Sequence, residues 1–388
     1  MQYRKFGSLD WEVSALGFGC MRLPTRKVLF WKSIDVPEAV RIIRHAIDAG
    51  VNYVDTAFGY HGGKSEIVVG KALQDGYRAK VCLATKLPMW RVKKTEDFDF
   101  YLGKQLQRLQ TDHIDFYLFH GLNQEHFKKV KDLNLFQKME EARDSGRIKH
   151  ICFSFHDSFA AFKEIIDAFP WDMAQVQYNY LDQNTQATTA GLEYAASKGI
   201  AVVVMEPIKG GVLASPIPEV QSLFESADVK RKPADWALQF VWNHPEVLCV
   251  LSGMGSMQMV EDNLASAETS GANSLTPGEL DTIGQALTLY QGKILIPCGG
   301  CQYCQPCPQG VQIPSIFNAI NEYAKSGNKR VANMMFKRIL KENGGPDRCA
   351  SCNQCAELCP QQIDIPLQLS KAKRVIGGES LKAVFEGN

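Results

Sequence analysis

Cysteine is the residue type whose spacing in this chain most directly suggests chemistry. Of the 388 residues, 12 are cysteines, and 8 of these lie between Cys298 and Cys359. They form two runs, Cys298-x2-Cys301-x2-Cys304-x2-Cys307-Pro308 and Cys349-x2-Cys352-x2-Cys355-x3-Cys359-Pro360. In a reducing compartment such dense C-x2-C steps favour a metal site over a disulfide framework, which stays an alternative.

The second run has the spacing of bacterial ferredoxins, in which the fourth cysteine ligates the other cluster of a pair. Two such runs predict two [4Fe–4S] clusters with crossed ligation. The first three cysteines of each run would share a cluster with the last cysteine of the other run: Cys298, Cys301, Cys304 with Cys359, and Cys349, Cys352, Cys355 with Cys307. Only Cys307 departs from the expected spacing, because two rather than three residues precede it. Zinc held by four cysteines is the main alternative.

A second group of candidate residues follows three short apolar segments nearer the start of the chain. Asp55 is the penultimate residue of the first segment, Lys86 and His120 end the other two, and Tyr60 follows the first. A tyrosine phenol has a pKa of about 10, so it donates a proton at neutral pH only where its anion is stabilised. A nearby ammonium provides that stabilisation, a carboxylate keeps the ammonium charged, and an imidazole orients a carbonyl oxygen. The set predicts general acid chemistry at a carbonyl, although each residue alone is equally compatible with a structural role.

The segments that carry these residues belong to an alternation of strand-like and helix-like stretches over the first 290 residues. Eight short apolar, β-branched or aromatic segments are predicted as buried strands, at 13–19, 51–56, 81–86, 114–120, 151–155, 174–178, 200–205 and 247–252. This pattern predicts an α/β fold, a (β/α)8 TIM barrel, in which reactive groups lie at the carboxyl ends of strands. An open doubly wound sheet is the rival, but the sequence GFGCMR at 17–22 lacks the third glycine of its usual motif.

The remainder of the chain differs in composition. Residues 298–388 hold 11 Lys and Arg against 7 Asp and Glu, a net charge of +4, whereas the whole chain is at +1. A hairpin is expected around residues 7–10, a helix starting at Pro277, and one helical stretch over 314–343 between the cysteine runs. We place the domain boundary between residues 292 and 293, which leaves a small, mostly helical iron–sulfur domain at 293–388.

The near-neutral charge excludes a strongly basic nucleic-acid binder, and no stretch approaches 18 uncharged apolar residues. The first residues lack the apolar region of a signal peptide, so we expect a cytoplasmic protein with no membrane and no nucleic acid among its partners. The four scattered cysteines, Cys20, Cys82, Cys152 and Cys249, are interpreted as small core residues.

The first 290 residues resemble the aldo-keto reductase superfamily. The resemblance is carried by LGFG at 16–19, VNYVDTAFGY at 51–60, GKSE at 63–66 and DFYLFH at 115–120. It implies a catalytic tetrad of Asp55, Tyr60, Lys86 and His120, with NAD(P)H bound across the barrel mouth and hydride passed to a carbonyl carbon. By position it implies that Ser154 and Gln177 hold the carboxamide of the cofactor.

The same resemblance places Ser252, Gly253 and Asn263 at the adenosine half of the cofactor. Residues 251–259 contain no Lys or Arg, whereas members that prefer NADPH usually place cations there to pair with the 2′-phosphate. We therefore expect NADH to be used at least as well as NADPH. The tail resembles helical dicluster ferredoxin domains, a combination known in a bacterial and archaeal subgroup of the superfamily.

Three functional hypotheses follow. In the first, the barrel reduces a small-molecule carbonyl compound and the clusters are structural. In the second, the clusters exchange electrons with a ferredoxin- or flavodoxin-like partner, and in the third the barrel only binds a ligand. The substrate would be selected by loops at 24–35, 86–97 and 121–131, whose Phe30, Trp31, Trp90 and His126 favour an apolar or ring-bearing compound.

Overall fold

The computed structural model describes residues 1–28 and 31–385, and for residues 27, 28, 31 and 32 the backbone only. The chain divides into two compact units, Met1–Ile208 with Asp235–Thr276, and Lys209–Ala234 with Pro277–Asn388. The second unit thus takes in two segments that precede the expected boundary between residues 292 and 293, and that boundary stays a prediction.

In the described part of the chain, eight parallel strands close into a barrel, in chain order with the last strand beside the first. The barrel strands are β3 (Leu16–Gly19), β6 (Tyr53–Asp55), β7 (Cys82–Leu87), β8 (Ile114–Leu122), β9 (Ile148–Phe155), β10 (Met173–Gln177), β11 (Ala201–Met205) and β12 (Val247–Ser252). Their side chains are almost all buried, as expected for parallel strands covered by helices on the outside. The predicted (β/α)8 barrel is confirmed, with each predicted segment overlapping one barrel strand.

Several of the helices around the barrel bury an apolar side and begin at residues suited to capping. Asp35 accepts a hydrogen bond from the Glu38 amide at the start of the first helix, and Ser158 and Ser256 cap two later ones in the same way. The helices of the first unit are α1 (Val36–Asp48), α2 (Ser65–Ala72), α3 (Asp97–Leu109), α4 (Gln124–Asp132), α5 (Leu135–Asp144), α6 (Phe159–Ala168), α7 (Thr188–Ser197), α9 (Pro233–Trp242, which begins in the second unit) and α10 (Met257–Glu268).

Two antiparallel hairpins accompany the barrel. The expected one pairs β1 (Tyr3–Lys5) with β2 (Glu12–Ser14), and its Phe6 joins the apolar floor of the barrel beside Tyr53 and Phe116. The second pairs β4 (Thr25–Val28) with β5 (Trp31–Ile34), where the sequence analysis expected a loop. The loop expected at 121–131 is also largely helical, because Asn123 caps α4 by accepting from the His126 amide at 2.7 Å.

The second unit is helical, with α8 (Pro218–Ser226), α11 (Pro277–Tyr290), α12 (Ile313–Ser326), α13 (Lys329–Lys341), α14 (Gln354–Glu357), α15 (Ile365–Ile376) and α16 (Leu381–Phe385). The helical stretch expected over 314–343 is confirmed, and the structure divides it into two helices. Gly327 ends α12 in the left-handed conformation at φ 64°, and the Asn328 side chain caps α13 by accepting from the Arg330 amide. Among the residues described, no helix is long and apolar enough to cross a membrane.

Candidate active site and candidate cluster sites

The structure brings the four predicted catalytic residues together at the carboxyl end of the barrel. Asp55 is the last residue of β6, Lys86 lies near the end of β7, and His120 lies in β8. Tyr60 begins a 3-10 turn, Tyr60–Gly63, that follows β6. Because β6, β7 and β8 are consecutive neighbours in the barrel, their ends meet at one side of the mouth.

Lys86 is the centre of this group, and only 1% of its surface is exposed. Its Nζ atom lies 2.7 Å from both carboxylate oxygens of Asp55, 2.9 Å from the Thr56 carbonyl and 3.4 Å from the Tyr60 hydroxyl. Burial lowers the pKa of Lys86, and the adjacent Asp55 carboxylate opposes that shift. The ion pair therefore keeps a buried ammonium group next to the tyrosine oxygen.

Sequence reasoning missed Gln175, which completes the partners of the aspartate. Gln175 lies in β10, on the far side of the barrel from β6. Its Nε2 atom donates a hydrogen bond to Asp55 Oδ2 at 2.9 Å. Gln177 faces the same way two residues later, and its amide donates to Asp182 Oδ2 at 2.9 Å. The only signal in the sequence was the pair of glutamines in an otherwise apolar strand.

A buried polar network behind β7 holds the lysine's strand in place. Both Thr85 Oγ1 and Gln105 Nε2 donate to Glu66 Oε1, at 2.8 and 2.7 Å, and Gln105 also donates to the Lys86 carbonyl at 3.0 Å. Arg108 Nη1 lies 3.0 Å from the other Glu66 oxygen. Glu66 is part of the GKSE segment of the resemblance, and the structure shows that it positions a strand rather than touching the tetrad.

His120 lies at an irregularity of its strand. The register between β8 and β9 shifts between Phe119 and Leu122, and Gly121 takes a positive φ of 65° there. A bulge of this kind next to a functional residue re-aims the side chain into the site. Burial, reinforced by the Lys86 ammonium, holds the pKa of His120 well below its usual value, so its imidazole is neutral at physiological pH.

Aromatic and imidazole groups surround the tetrad. The ring centroid of Trp90 lies 5.0 Å from that of His120, and Gly59 leaves room for Trp90, since a Cβ atom there would stand 3.3 Å from the indole. His126 and His156 both interact electrostatically with His120. Of the loop residues expected to select the substrate, the structure thus places Trp90 and His126 at the site. Phe30 and the Trp31 side chain lie outside the described residues.

Of the residues expected to hold the cofactor, Ser154, Gln177 and Ser252 lie at or near the carboxyl ends of β9, β10 and β12, Gly253 follows β12, and Asn263 lies in α10. Ser154 Oγ accepts a hydrogen bond at 2.8 Å from the backbone amide of Gly121, the residue that follows His120. Asn263 in α10 donates to Ser252 Oγ at 2.8 Å, which ties the end of β12 to the following helix. Gly253 faces the side chain of Arg22, whose carbons would lie 3.2–3.3 Å from a Cβ atom there.

The loop that begins at Gly253, directly after Ser252 ends β12, leads into α10, whose first residue is Met257. A helix N-terminus with free amide groups is suited to a phosphate, so this end of the barrel fits the phosphate-bearing part of a dinucleotide. Arg22 also lies 3.9 Å from Glu206, so a cation is present beside a segment that has none in its own sequence.

In the second unit, one cavity gathers cysteines from both runs. Cys298, Cys301, Cys304 and Cys359 line it together with apolar residues such as Phe317. Burial raises the pKa of the Cys304 thiol to about 12, and the nearby cysteines, including all three others of the cavity, add to that shift. Four thiols that share one apolar cavity fit a site whose metal supplies the positive charge that the protein lacks there.

The other predicted ligands also form a group. Cys355 interacts electrostatically with Cys307, Cys349 and Cys352, and its pKa is raised chiefly by burial. Cys304 interacts with Cys355 as well, so the two groups are neighbours. Within residues 1–28 and 31–385, no three His, Cys, Asp or Glu side chains lie close enough to hold a single metal ion.

All twelve cysteines fall in the described part of the chain, and the structure shows each as a free thiol. Of the four scattered ones, Cys20, Cys152 and Cys249 are fully buried, and Cys82 is partly exposed. Burial raises the pKa of these four thiols, which is expected for small core residues.

Comparison with known proteins matches a different family to each part of the chain. Residues 15–274 match the aldo/keto reductase family, and residues 297–363 match the 4Fe-4S dicluster domain. The uncharacterized oxidoreductase YqkF of Bacillus subtilis is 26% identical over 316 residues, 73% of this chain and 95% of that protein. L-galactose dehydrogenase of Arabidopsis thaliana is 26% identical over 310 residues, 73% of this chain and 94% of that protein.

Solved structures agree with the barrel. The holo form of the aldo-keto reductase AKR11C1 from Bacillus halodurans has a TM-score of 0.61 at 29% identity, covering 74% of this chain and 96% of that one. An aldo-keto reductase from Klebsiella pneumoniae in complex with NADPH has a TM-score of 0.62 and covers 73% of this chain and 94% of that one; its 23% identity shows the fold alone. The chain therefore belongs to the aldo/keto reductase family of oxidoreductases and carries a 4Fe-4S dicluster domain after its barrel.

Proposed function

We propose that this chain interconverts a small carbonyl compound and an alcohol with NAD(P)H, with Tyr60 as general acid and base. The observation that carries the proposal is the Tyr60 hydroxyl at 3.4 Å from Lys86 Nζ, whose charge Asp55 secures at 2.7 Å. An ammonium at that distance stabilises the phenolate that remains when the tyrosine gives its proton to the substrate oxygen.

His120 provides the second contact to the substrate oxygen. Because its imidazole is neutral, it can donate one hydrogen bond without giving up a proton, and it does not compete with Tyr60 as the acid. The two side chains flank one position, since their ring centroids are 6.0 Å apart and nearly perpendicular. An oxygen held between them meets both donors as negative charge develops on it.

A bound reduced nicotinamide supplies the hydride for the carbonyl carbon. Ser154 and Gln177 would hold its carboxamide, and Ser252, Gly253 and Asn263 the adenosine half. The absence of Lys and Arg from residues 251–259 supports use of NADH at least equal to that of NADPH. A ratio of kcat/KM values that favours NADPH a hundredfold would contradict that choice, and Arg22 would then be the first cation to examine.

We further propose that the second unit holds two [4Fe–4S] clusters with the crossed ligation described above. Its support is the cavity that joins Cys359 to the first cysteine run. The test is to measure the iron, zinc and acid-labile sulfide content of anaerobically purified protein. We expect about eight irons and eight sulfides per chain. Zinc without sulfide would make the unit a structural zinc site. A role for the clusters in electron exchange is the second candidate function, and a cytoplasmic location remains part of the proposal.

The catalytic part is tested by Tyr60→Phe. The substitution removes the general acid while keeping the ring, so kcat for aldehyde reduction should fall on the order of 10²–10⁴-fold. Tyr77→Phe is a matched control, because the Tyr77 hydroxyl contacts the exposed Asp48 at 2.7 Å and no member of the tetrad. Near-normal kcat in Tyr60→Phe would show that the tetrad does not act as proposed.

A further inference from the structure

The exposed side of α13 carries positive charge that the proposed reaction does not use. The helix contains five Lys and Arg and no acidic residue. Residues spaced four apart lie on one side of a helix, and here two adjacent rows of that spacing are exposed throughout. We call these two rows the basic face of α13, and they consist of Lys329, Asn333, Lys337 and Lys341 in one row and Arg330, Met334 and Arg338 in the other.

Most of these cations lack an acidic neighbour. In the part of the chain that the structure describes, four of the five make no ion pair, and only Arg338 approaches a carboxylate, that of Glu342 at 3.4 Å. Some cations elsewhere in the same unit are paired, for example Lys373 with Asp347 at 3.0 Å and Arg374 with Glu379, whereas Lys371 and Lys382 make no ion pair within the described residues. On α13, four cations without an ion pair lie on one short helix that has no acidic residue of its own.

The opposite side of the same helix is part of the core that contains the predicted cluster ligands. Ala332, Phe336 and Ile339 are buried there, and six of the eight cysteines of the two runs pack against the same apolar cluster. A helix with its side chains is about 10–12 Å across. A protein bound to the basic face would therefore be separated from the cluster-bearing core by a single helix.

The centre of the basic face is apolar. Met334 lies between Arg330 and Arg338 in its row and is 65% exposed, more than any other large hydrophobic side chain described. Protein interfaces combine an apolar centre with a polar rim, and transient redox complexes form small interfaces of this kind. The ring of charge speeds the encounter with an oppositely charged partner and selects against partners of like charge.

We propose that the basic face of α13 docks an acidic protein that carries single electrons, of the ferredoxin or flavodoxin class. The inference rests on the two clusters of the proposed function. One electron passes from the reduced carrier to a cluster, so the carrier is oxidised and the cluster reduced by one equivalent, with no bond or proton transferred. Nucleic acid is the other polyanion that such a face attracts, but the cluster-bearing core directly behind it favours a redox carrier.

Docking is tested by reversing charge on this face in the complete chain, with Lys329→Glu combined with Lys337→Glu. The control, Lys104→Glu combined with Lys382→Glu, changes the net charge equally at exposed lysines on other helices. Affinity for a strongly acidic [2Fe–2S] ferredoxin is measured by anaerobic titration calorimetry. The double reversal on α13 should weaken binding at least about tenfold, the control should leave it unchanged, and added salt should weaken binding of the unaltered chain.

Binding does not require an electron to move, so this readout separates failure of the docking inference from failure of the cluster proposal. Iron and sulfide content, and reduction by dithionite, are measured on the same samples and report on the clusters alone. Equal affinity of the α13 variant and the unaltered chain for the ferredoxin would overturn the docking inference. Tighter binding of duplex DNA than of ferredoxin, lost in the same variant, would also overturn it and assign the face to nucleic acid.

Once docking is established, electron transfer is measured by stopped-flow reduction of the clusters with reduced ferredoxin. The α13 variant should react at least about tenfold more slowly at low salt. Under that condition the attraction between charges extends over about 10 Å or more before salt screens it. Dithionite should reduce both proteins at the same rate, because it needs no docking face. Equal rates with ferredoxin would show that the face does not serve electron transfer. Lys341→Glu alone offers a milder second variant with a smaller effect in the same direction.

Discussion

The candidate active site and the candidate cluster sites treat buried charge in opposite ways. In the barrel, Lys86 and Asp55 neutralise each other at 2.7 Å, and Thr56 and Gln175 satisfy the remaining hydrogen bonds. In the second unit the ligands are all potential anions, and the pKa of Cys304 is raised to about 12. Buried charge in the candidate active site is thus balanced within the polypeptide, whereas the candidate cluster sites need cations from outside to balance their thiolates.

Removing one partner of the buried ion pair should have the largest effect. Lys86→Met leaves the Asp55 carboxylate buried and unpaired, which should cost about 3–5 kcal/mol of unfolding free energy as well as the activity. Urea unfolding and kcat for aldehyde reduction measure both effects. The control is Lys80→Met, since Lys80 pairs with Asp48 at 2.8 Å but on the surface, where no measurable destabilisation is expected. Equal free energies of unfolding for the two variants would mean that the Lys86–Asp55 ion pair does not stabilise the barrel.

The crossed ligation should be visible as a loss of half the iron. Cys359→Ser should lower the iron content from about eight to about four per chain, while Cys249→Ala in the barrel floor should leave it unchanged. Double variants sharpen the test. Adding Cys298→Ser to Cys359→Ser should remove no further iron, because both residues serve one cluster, whereas adding Cys352→Ser should remove the rest. The reverse pattern would show that each run holds its own cluster.

The smallest expected effect concerns pH. Burial holds the pKa of His120 well below 6.5 and lowers that of His156 to about 4, so kcat should show no acid limb near pH 6.5. Stability should respond instead. Below about pH 6.5 the unfolded chain binds protons on these histidines and the folded chain does not, so the free energy of unfolding should fall towards pH 4. A limb near pH 6.5 in the kcat profile that disappears in His120→Gln would contradict the neutral imidazole.

Local patterns predicted most of the barrel and the types of residue in both sites. The predicted segments 51–56, 81–86 and 114–120 were recognisable because each is short, mainly apolar and ends in a polar residue. The break between α12 and α13, inside the helical stretch predicted over 314–343, is encoded by Gly327 followed by Asn328, a helix-ending residue and a helix cap. The β4–β5 hairpin and α4 were missed, although Asn123 is a strong capping residue.

The partners of buried polar groups could not be predicted, because they come from distant parts of the chain. Gln175 reaches Asp55 across 120 residues of sequence, and Glu66 joins Gln105 across 39. No periodicity or spacing connects such positions. They meet only because the closed barrel brings the ends of all its strands to one mouth.

The sequence by itself determined the order of the eight barrel strands, the tetrad candidates and the grouping of cysteines into two runs. These features depend on side-chain periodicity, capping and short spacings, all of which act between near neighbours. Tertiary structure alone decided which side chains satisfy Lys86, Asp55 and Glu66, and which cations of the second unit were left exposed on α13. A buried charge must be neutralised by whatever groups folding brings within about 3 Å, and an exposed one need not be neutralised at all.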